Sequence, residues 1–337
     1  MKTILRLAVL ALAGSAALAL AGNALATQKL SVRQSTTSLT IHLSQAQSDQ
    51  QPAKITIYVP SGYSISASAT PGTKIGTTTG TIFSRDANIP LPLTGDVIVA
   101  PPSTNAPGCA VGTHLAVWNL ALSVAGQTIN LPVHVDATAG PEAALGAFKL
   151  VVCLAPDDVP VGTPGRSPNG ARLLDATFTV DNIFTVPAGQ SIWKAITTPY
   201  APGTGAPNVA GTVETRAFVA DGTVSIAGKV TNKAKRIVKV TGKVAQAGAA
   251  VAGAQVTLLL NGKASGFKAR TNGSGGYSLS LKKTGKRSTT TFQARVTVAE
   301  RDITSSGCSS PSLPGIACVS ATASPFTAVS PKFKIRI

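Results

Sequence analysis

From Ser38 to the C-terminus the chain repeats one local pattern: short runs rich in Val, Ile, Leu and Thr, each closed by Gly, Pro, Asn or Ser. No part of it carries apolar residues at the three-to-four spacing of an amphipathic helix. β-Branched side chains suit a pleated, half-buried surface, and 32 Gly and 22 Pro interrupt the chain too often for long elements. The pattern predicts an all-β protein. Strands are expected in the first half at 38–43, 54–59, 96–100, 114–124, 127–135, 147–154 and 173–180, with a hairpin turning through Ala125-Gly126-Gln127. In the second half they are expected at 223–230, 237–244, 254–260, 264–271, 276–281, 290–298, 317–323 and 331–337. Asn261-Gly262, between Leu260 and Lys263, favours a tight type I′ turn.

Charge divides the same chain in two. Residues 27–217 hold ten Lys and Arg against ten Asp and Glu, whereas residues 218–337 hold eighteen against three. A neutral module joined to a basic one predicts two β-sandwich-type domains, 27–215 and 222–337, with the joint between Gly211 and Thr223. Each is long enough to bury its own core.

The first 26 residues read as a secretory signal peptide. Lys2 and Arg6 precede an apolar run over 7–20, and Ala24-Leu25-Ala26 supplies the small-x-small cleavage site. The run is short for a span of about 20 residues, and no later stretch is apolar enough to cross a bilayer as a helix. A secreted, extracellular or envelope-associated chain is therefore expected. Four Cys in such a chain are expected as disulfides. Of three connectivities, the economical one pairs Cys109 with Cys153 and Cys308 with Cys318, the second closing a short Ser- and Pro-rich loop worth about 2–4 kcal/mol. Zinc would need a fuller ligand set, and no CxxC pair occurs, so neither a metal nor a cofactor is expected.

Several runs of the basic part carry a recognisable arrangement: Val240-Thr241-Gly242-Lys243-Val244, then Ala252-Gly253-Ala254-Gln255-Val256-Thr257-Leu258, then Thr271-Asn272-Gly273 and Gly276-Tyr277-Ser278-Leu279. This resembles secreted bacterial Ig-like domains and is similar to the carboxypeptidase-regulatory-like group, with its GxV…VxGAxVxL…T…GxY pattern. The run Thr289–Val296 is similar to the penultimate strand of Ig-like modules. The resemblance covers roughly 221–337 and implies an Ig-like β-sandwich there. It implies little about function, because such modules act as spacers, binders and scaffolds alike.

Strand parity places the charges. Lys332, Lys334 and Arg336 share one face while Phe333, Ile335 and Ile337 share the other; Arg295 opposes Phe292, Ala294 and Val296 across parity; Lys268 and Arg270 alternate with Phe267 and Ala269; Lys239 and Lys243 alternate with Val238, Val240 and Val244. These eight cations are the candidate polyanion-binding residues, with an anionic envelope polymer, acidic lipid head groups or nucleic acid as the partner. The competing reading is a lysine-rich surface that serves solubility and discourages edge-to-edge pairing. No helix-turn-helix, zinc finger or RNA-recognition signature occurs, so sequence-specific nucleic-acid binding is not expected. Phe267, Tyr277, Phe292 and Phe333 have inward parity and read as core residues rather than a base-stacking platform.

No catalytic residue is assigned. The GxSxG elbow, the HExxH motif and the P-loop are absent. His114 and His134 flank the expected hairpin and come together across its strands, with Asp136 the nearest third ligand, while His42 reads as an exposed strand residue. Asp157-Asp158 reads as a solvated turn or, alternatively, part of a calcium site. Trp118 and Trp193 read as core or, alternatively, as a sugar platform. The sequence thus points to a secreted, non-enzymatic structural or binding protein of the bacterial cell envelope, its basic Ig-like domain contacting an anionic surface. The alternatives are a secreted carbohydrate-active enzyme with an accessory module, and an inert spacer.

Overall fold

The computed structural model of the chain describes residues 27–282 and 288–336; the segment 1–26, read from sequence as a signal peptide, lies outside them, as do Lys283, Lys286, Arg287 and Ile337. The strands run in chain order β1 (Lys29–Gln34), β2 (Ser38–Ser44), β3 (Pro52–Val59), β4 (Ser64–Ile65), β5 (Lys74–Ser84), β6 (Ile89–Ala100), β7 (Ala116–Val124), β8 (Gln127–Ala137), β9 (Phe148–Cys153), β10 (Ala171–Asp181), β11 (Phe184–Thr185), β12 (Ser191–Pro199) and β13 (Val213–Val219). They continue as β14 (Gly222–Val224), β15 (Ala227–Asn232), β16 (Ile237–Gln246), β17 (Ala249–Ala250), β18 (Gln255–Leu260), β19 (Lys263–Arg270), β20 (Gly276–Lys282), β21 (Thr289–Val298), β22 (Arg301–Asp302), β23 (Ala317–Ala323), β24 (Phe326–Val329) and β25 (Phe333–Arg336). The protein is all-β.

Thirteen of these strands share one sheet, in the order β1-β2-β10-β5-β6-β7-β8-β9-β3-β12-β13-β23-β22. The expected hairpin is its β7–β8 pair, in which Val124 faces Gln127 and Ala125-Gly126 form a two-residue loop with φ of 48° and 79°. The sheet folds over one apolar core that takes inward-facing residues from nearly every strand, including Leu30, Ile41, Val59, Leu150 and Ala195. Trp118 and Trp193 are core residues, at 1% and 0% exposure, not a surface platform. They join Tyr63, Phe178 and Phe184 in a cluster with ring centroids 5.1–6.5 Å apart.

The basic third splits between two structures. One is a sandwich: β14-β16-β15, with β17 and β20 also on β16, faces β19-β18-β21-β24, with β25 also on β21. Val238, Val240, Val256, Leu258, Phe292, Ala294 and Val296 fill the space between, all fully buried. This is the β-sandwich that the alternating pattern and the resemblance anticipated. Asn261 and Gly262 take φ of 49° and 81° in a two-residue turn from β18 to β19.

The other structure corrects the sequence reading. Residues 317–323 were expected as a strand of the basic module, yet β23 hydrogen-bonds in parallel to β13 and is the twelfth strand of the first sheet. The chain leaves the sandwich after β21, forms β22, a helical turn at Thr304–Gly307 and the Cys308–Cys318 loop, then β23, and re-enters as β24. Short side chains suit β23 to this place. Ser320 Oγ donates to Gln28 O at 2.5 Å and Thr322 Oγ1 to Leu30 O at 2.7 Å, so hydroxyls cap the edge of β1 that would otherwise lie unpaired. On the other side, Arg216 of β13 donates to Glu214 at 2.5 Å, to Gly307 O at 3.0 Å and to Pro311 O at 3.1 Å. Glu214 and Arg216 are both buried, so the pair clamps the disulfide loop onto the sheet from within.

Replacing Glu214 by Ala strands a buried guanidinium. Urea unfolding should show a loss of about 3–5 kcal/mol, the usual cost of removing one partner of a buried ion pair; a change below about 1 kcal/mol would show that the carbonyls of Gly307 and Pro311 hold Arg216 without it.

Candidate polyanion-binding surface

Strand alternation decides where the sandwich carries its charge. In residues 222–299 and 325–337 there are seventeen Lys and Arg and no Asp or Glu. All eight predicted cations, Lys239, Lys243, Lys268, Arg270, Arg295, Lys332, Lys334 and Arg336, are exposed. Among the described residues none of them takes part in an ion pair. They do not form one patch. Lys239 and Lys243 lie on the outer face of β16, where Lys229 of β15 sits directly opposite Lys239. Lys268 and Arg270 on β19, Arg295 on β21, and Lys334 and Arg336 on β25, with Lys332 just before it, lie on the other sheet. Directly opposed like charges such as Lys229 and Lys239 repel, and no carboxylate of the sandwich offsets them.

Two of the three carboxylates in 218–337 face the first sheet. Glu300 accepts from Ser31 Oγ at 2.6 Å and lies 3.7 Å from Arg33, and Asp302 lies 3.6 Å from Lys29. Thr304 and the Lys29 ammonium hold the Asp302 carboxyl below the usual carboxylate range, Thr304 contributing most. Glu300 and Asp302 thus tie the excursion to β1, and Asp221, exposed just before β14, is the one acid of 218–337 beside the sandwich strands.

One aromatic departs from its expected place. Tyr277 and Phe292 are core residues, and Phe333 packs half-buried against Phe292, their ring centroids 6.3 Å apart. Phe267, also expected in the core, is 38% exposed. The cause is a bulge: the β18–β19 register jumps from Thr257↔Lys268 to Leu259↔Ala264, so Ser265, Gly266 and Phe267 have no ladder partners. Ser265 Oγ holds the bulge by donating to Leu258 O at 2.6 Å. Parity assumes an unbroken ladder, and sequence alone does not reveal where the ladder breaks.

The titratable clusters of the first sheet are enclosed. Both expected disulfides are present, and Cys109–Cys153 fastens the 101–115 loop over the outward side of β7–β9. Val117, His134 and Val151 point away from the apolar core yet are buried beneath it. His114 Nδ1 lies 3.0 and 3.1 Å from the two Asp136 oxygens, and the rings of His114 and His134 are 4.5 Å apart. The three residues named from sequence therefore do come together, but under a loop. Among the described residues no group of three or more His, Cys, Asp or Glu is arranged to hold a metal. Burial, then the neighbouring His114, holds the His134 imidazole below its usual range, against smaller opposing effects from the backbone of Val151 and Thr104 and from Asp136. His42 is half-buried on β2.

Asp157 is no solvated turn. It is fully buried, accepting from Arg172 Nε at 2.7 Å and Arg85 Nη1 at 3.4 Å, while Asp158 accepts from Gly203 N at 2.7 Å. Other acids here are also paired: Asp86 with Arg166, Asp96 with Lys74 and Glu142 with Lys149, each at 2.6 Å. Inside the sheet lies a cavity of about 70 Å³ walled by aliphatic side chains such as Ile57, Leu120 and Leu150, with Phe178 and with Thr78 as the one polar residue. It offers no carboxylate or imidazole to a substrate.

No protein-family model and no curated protein matches the chain. Solved structures give weak matches. A Corynebacterium diphtheriae protein described as membrane-anchored aligns at 12% identity and TM-score 0.21 over 80% of this chain and 49% of its own, so the chain spans about half of that protein. A tetra-tandem repeat from the extending region of a large adhesion protein aligns at 10% identity and TM-score 0.25, over 93% of this chain and 99% of its own. The D00-D0 domain of intimin aligns at 17% identity and TM-score 0.18, over 66% and 97%. Likeness at this level carries no functional information, and nothing below rests on it.

The enclosed histidine makes stability depend on pH in a window of its own. A lowered folded pKa means that the unfolded chain binds the proton first, near pH 6.5, so stability is full above that pH and falls as the pH drops through it. Unfolding midpoints should decline between pH 7 and about 5, before most carboxylates titrate, and His134→Gln should flatten that decline. An unchanged slope in the variant would place the effect elsewhere.

Proposed function

We propose that this protein is an exported, non-enzymatic component of a bacterial cell envelope, in which the first sheet is the scaffold and the basic sandwich engages an anionic polymer or surface. The observation that carries the reading is the charge partition: a sandwich whose described residues include fourteen Lys and Arg and no Asp or Glu, with its candidate residues exposed on both outer faces. Solubility needs far less, since a net charge of about 2–8 suffices for a small domain. Export is supported by the signal-like 1–26 segment and by two disulfides, which persist in oxidising compartments. A non-catalytic role is supported by acids held in ion pairs, a His–Asp cluster sealed under a loop, and an aliphatic cavity.

The division into a neutral unit at 27–215 and a basic one at 222–337 belongs to this proposal, with one structural qualification: β22 and β23 hydrogen-bond into the first sheet. An isolated 218–337 fragment would lose the partners of β23, so the test uses residues 27–337. This chain should bind inorganic polyphosphate, and the affinity should collapse between about 0.1 and 1 M salt, as the screening length falls from about 10 to about 3 Å. Salt-independent binding would indicate a non-electrostatic site, and no binding at low salt would remove the proposal.

A further inference from the structure

The two outer faces of the sandwich are not equivalent. Within the described strands of the β15–β16–β20 face the cations are lysines, Lys229, Lys239, Lys243 and Lys282, with Arg236 in the turn between β15 and β16. The face built on β18, β19, β21 and β25 carries three arginines, Arg270, Arg295 and Arg336, with Lys268 and Lys334. Lys268 and Arg295 both sit opposite Thr257, from the strands on either side of it, and so stand about 10 Å apart. Lys334 and Arg336 oppose Thr291 and Thr289 farther along β21, so the cations trace an arc across the sheet with Thr and Gln side chains between them. Next to Lys268, within the bulge, Phe267 is 38% exposed. A guanidinium grips a planar carboxylate through two parallel hydrogen bonds, which an ammonium cannot do. An exposed ring beside it offers an apolar face to the C–H face of a sugar.

Resting on the polyanion reading above, we propose that the β18–β19–β21–β25 face is the binding face and that its partner is an acidic polysaccharide bearing carboxylates on its sugar rings. The arginines pair with the carboxylates, Thr257 and Gln255 meet sugar hydroxyls, and Phe267 packs against a ring. Two features on this face favour a polysaccharide over the other polyanions. Single-stranded nucleic acid is held by a series of rings on which successive bases stack, and among the described aromatics of the sandwich Phe267 alone is exposed. A bilayer is entered by apolar loop tips or by an apolar helix face, whereas Phe267 lies in β19 beside Lys268 and Val329 in β24 opposite Arg295.

The test measures binding of residues 27–337 to polygalacturonate, inorganic polyphosphate and phosphatidylglycerol vesicles by titration calorimetry at low salt. Phe267→Ser should weaken polygalacturonate binding about tenfold and polyphosphate binding less than about twofold, because only the sugar polymer has a ring to stack. Arg270→Gln with Arg295→Gln should weaken both polymers about tenfold, and Lys229→Gln with Lys282→Gln, on the opposite face, should change either by less than about twofold. Equal losses from the two faces, or a Phe267→Ser effect that is absent or shared by polyphosphate, would overturn the assignment. Binding to polyphosphate or vesicles without polygalacturonate would overturn the polysaccharide and leave the polyanion reading standing; binding to none of the three would remove that reading as well.

Discussion

The parallel pairing of β23 with β13 is the contact on which the rest of the molecule depends. Through it a segment that begins and ends in the sandwich completes the first sheet, and its Ser320 and Thr322 hydroxyls cap the edge of β1. The chain consequently passes between the two structures three times, after β13, after β21 and after β23. Two of these crossings, after β13 and after β23, meet at the buried Gln246, whose amide donates to Ala220 O at 2.8 Å and Ser324 O at 3.0 Å. Two domains joined by one linker move independently by default, whereas three crossings, two of them tied together by Gln246, restrain the sandwich on its scaffold.

That pairing also separates the charges. Glu300 and Asp302 lie in the excursion, so docking it carries both acids to Lys29 and Arg33 of β1. The sandwich is left with cations alone on both faces, in strands whose apolar alternate positions are buried. Exposed cations do little for folding stability and repel one another, so the arrangement makes physical sense where an external anion supplies the missing counter-charge. The first sheet follows the opposite logic. Several of its charges are paired and enclosed: Asp157 between Arg172 and Arg85, Glu214 with Arg216, and Asp136 with His114. The first sheet pairs several charges internally, whereas the sandwich presents its cations to solvent.

Much of this was legible in the residues. Alternation located most strands, the Asn261-Gly262 and Ala125-Gly126 pairs located their turns, and dividing four cysteines between the halves matches both bridges. Parity placed all eight candidate cations on exposed positions, because a strand with one buried face leaves its alternate residues no other direction. The misreadings have a common cause. Phe267, Asp157 and residues 317–323 were each read from local pattern, and each is placed by something distant in sequence: a bulge set by the partner strand, two arginines from other elements, and an open edge on β13.

What the sequence determined by itself was the all-β class, the strand periodicity and the outward direction of the cations, since those follow from side-chain alternation and turn chemistry within a few residues. What only the tertiary structure decided was which sheet each strand joins, which charges are paired, and which of two cationic faces carries arginines beside an exposed ring. These depend on hydrogen-bond partners and burial supplied by residues far along the chain, and no local pattern encodes them.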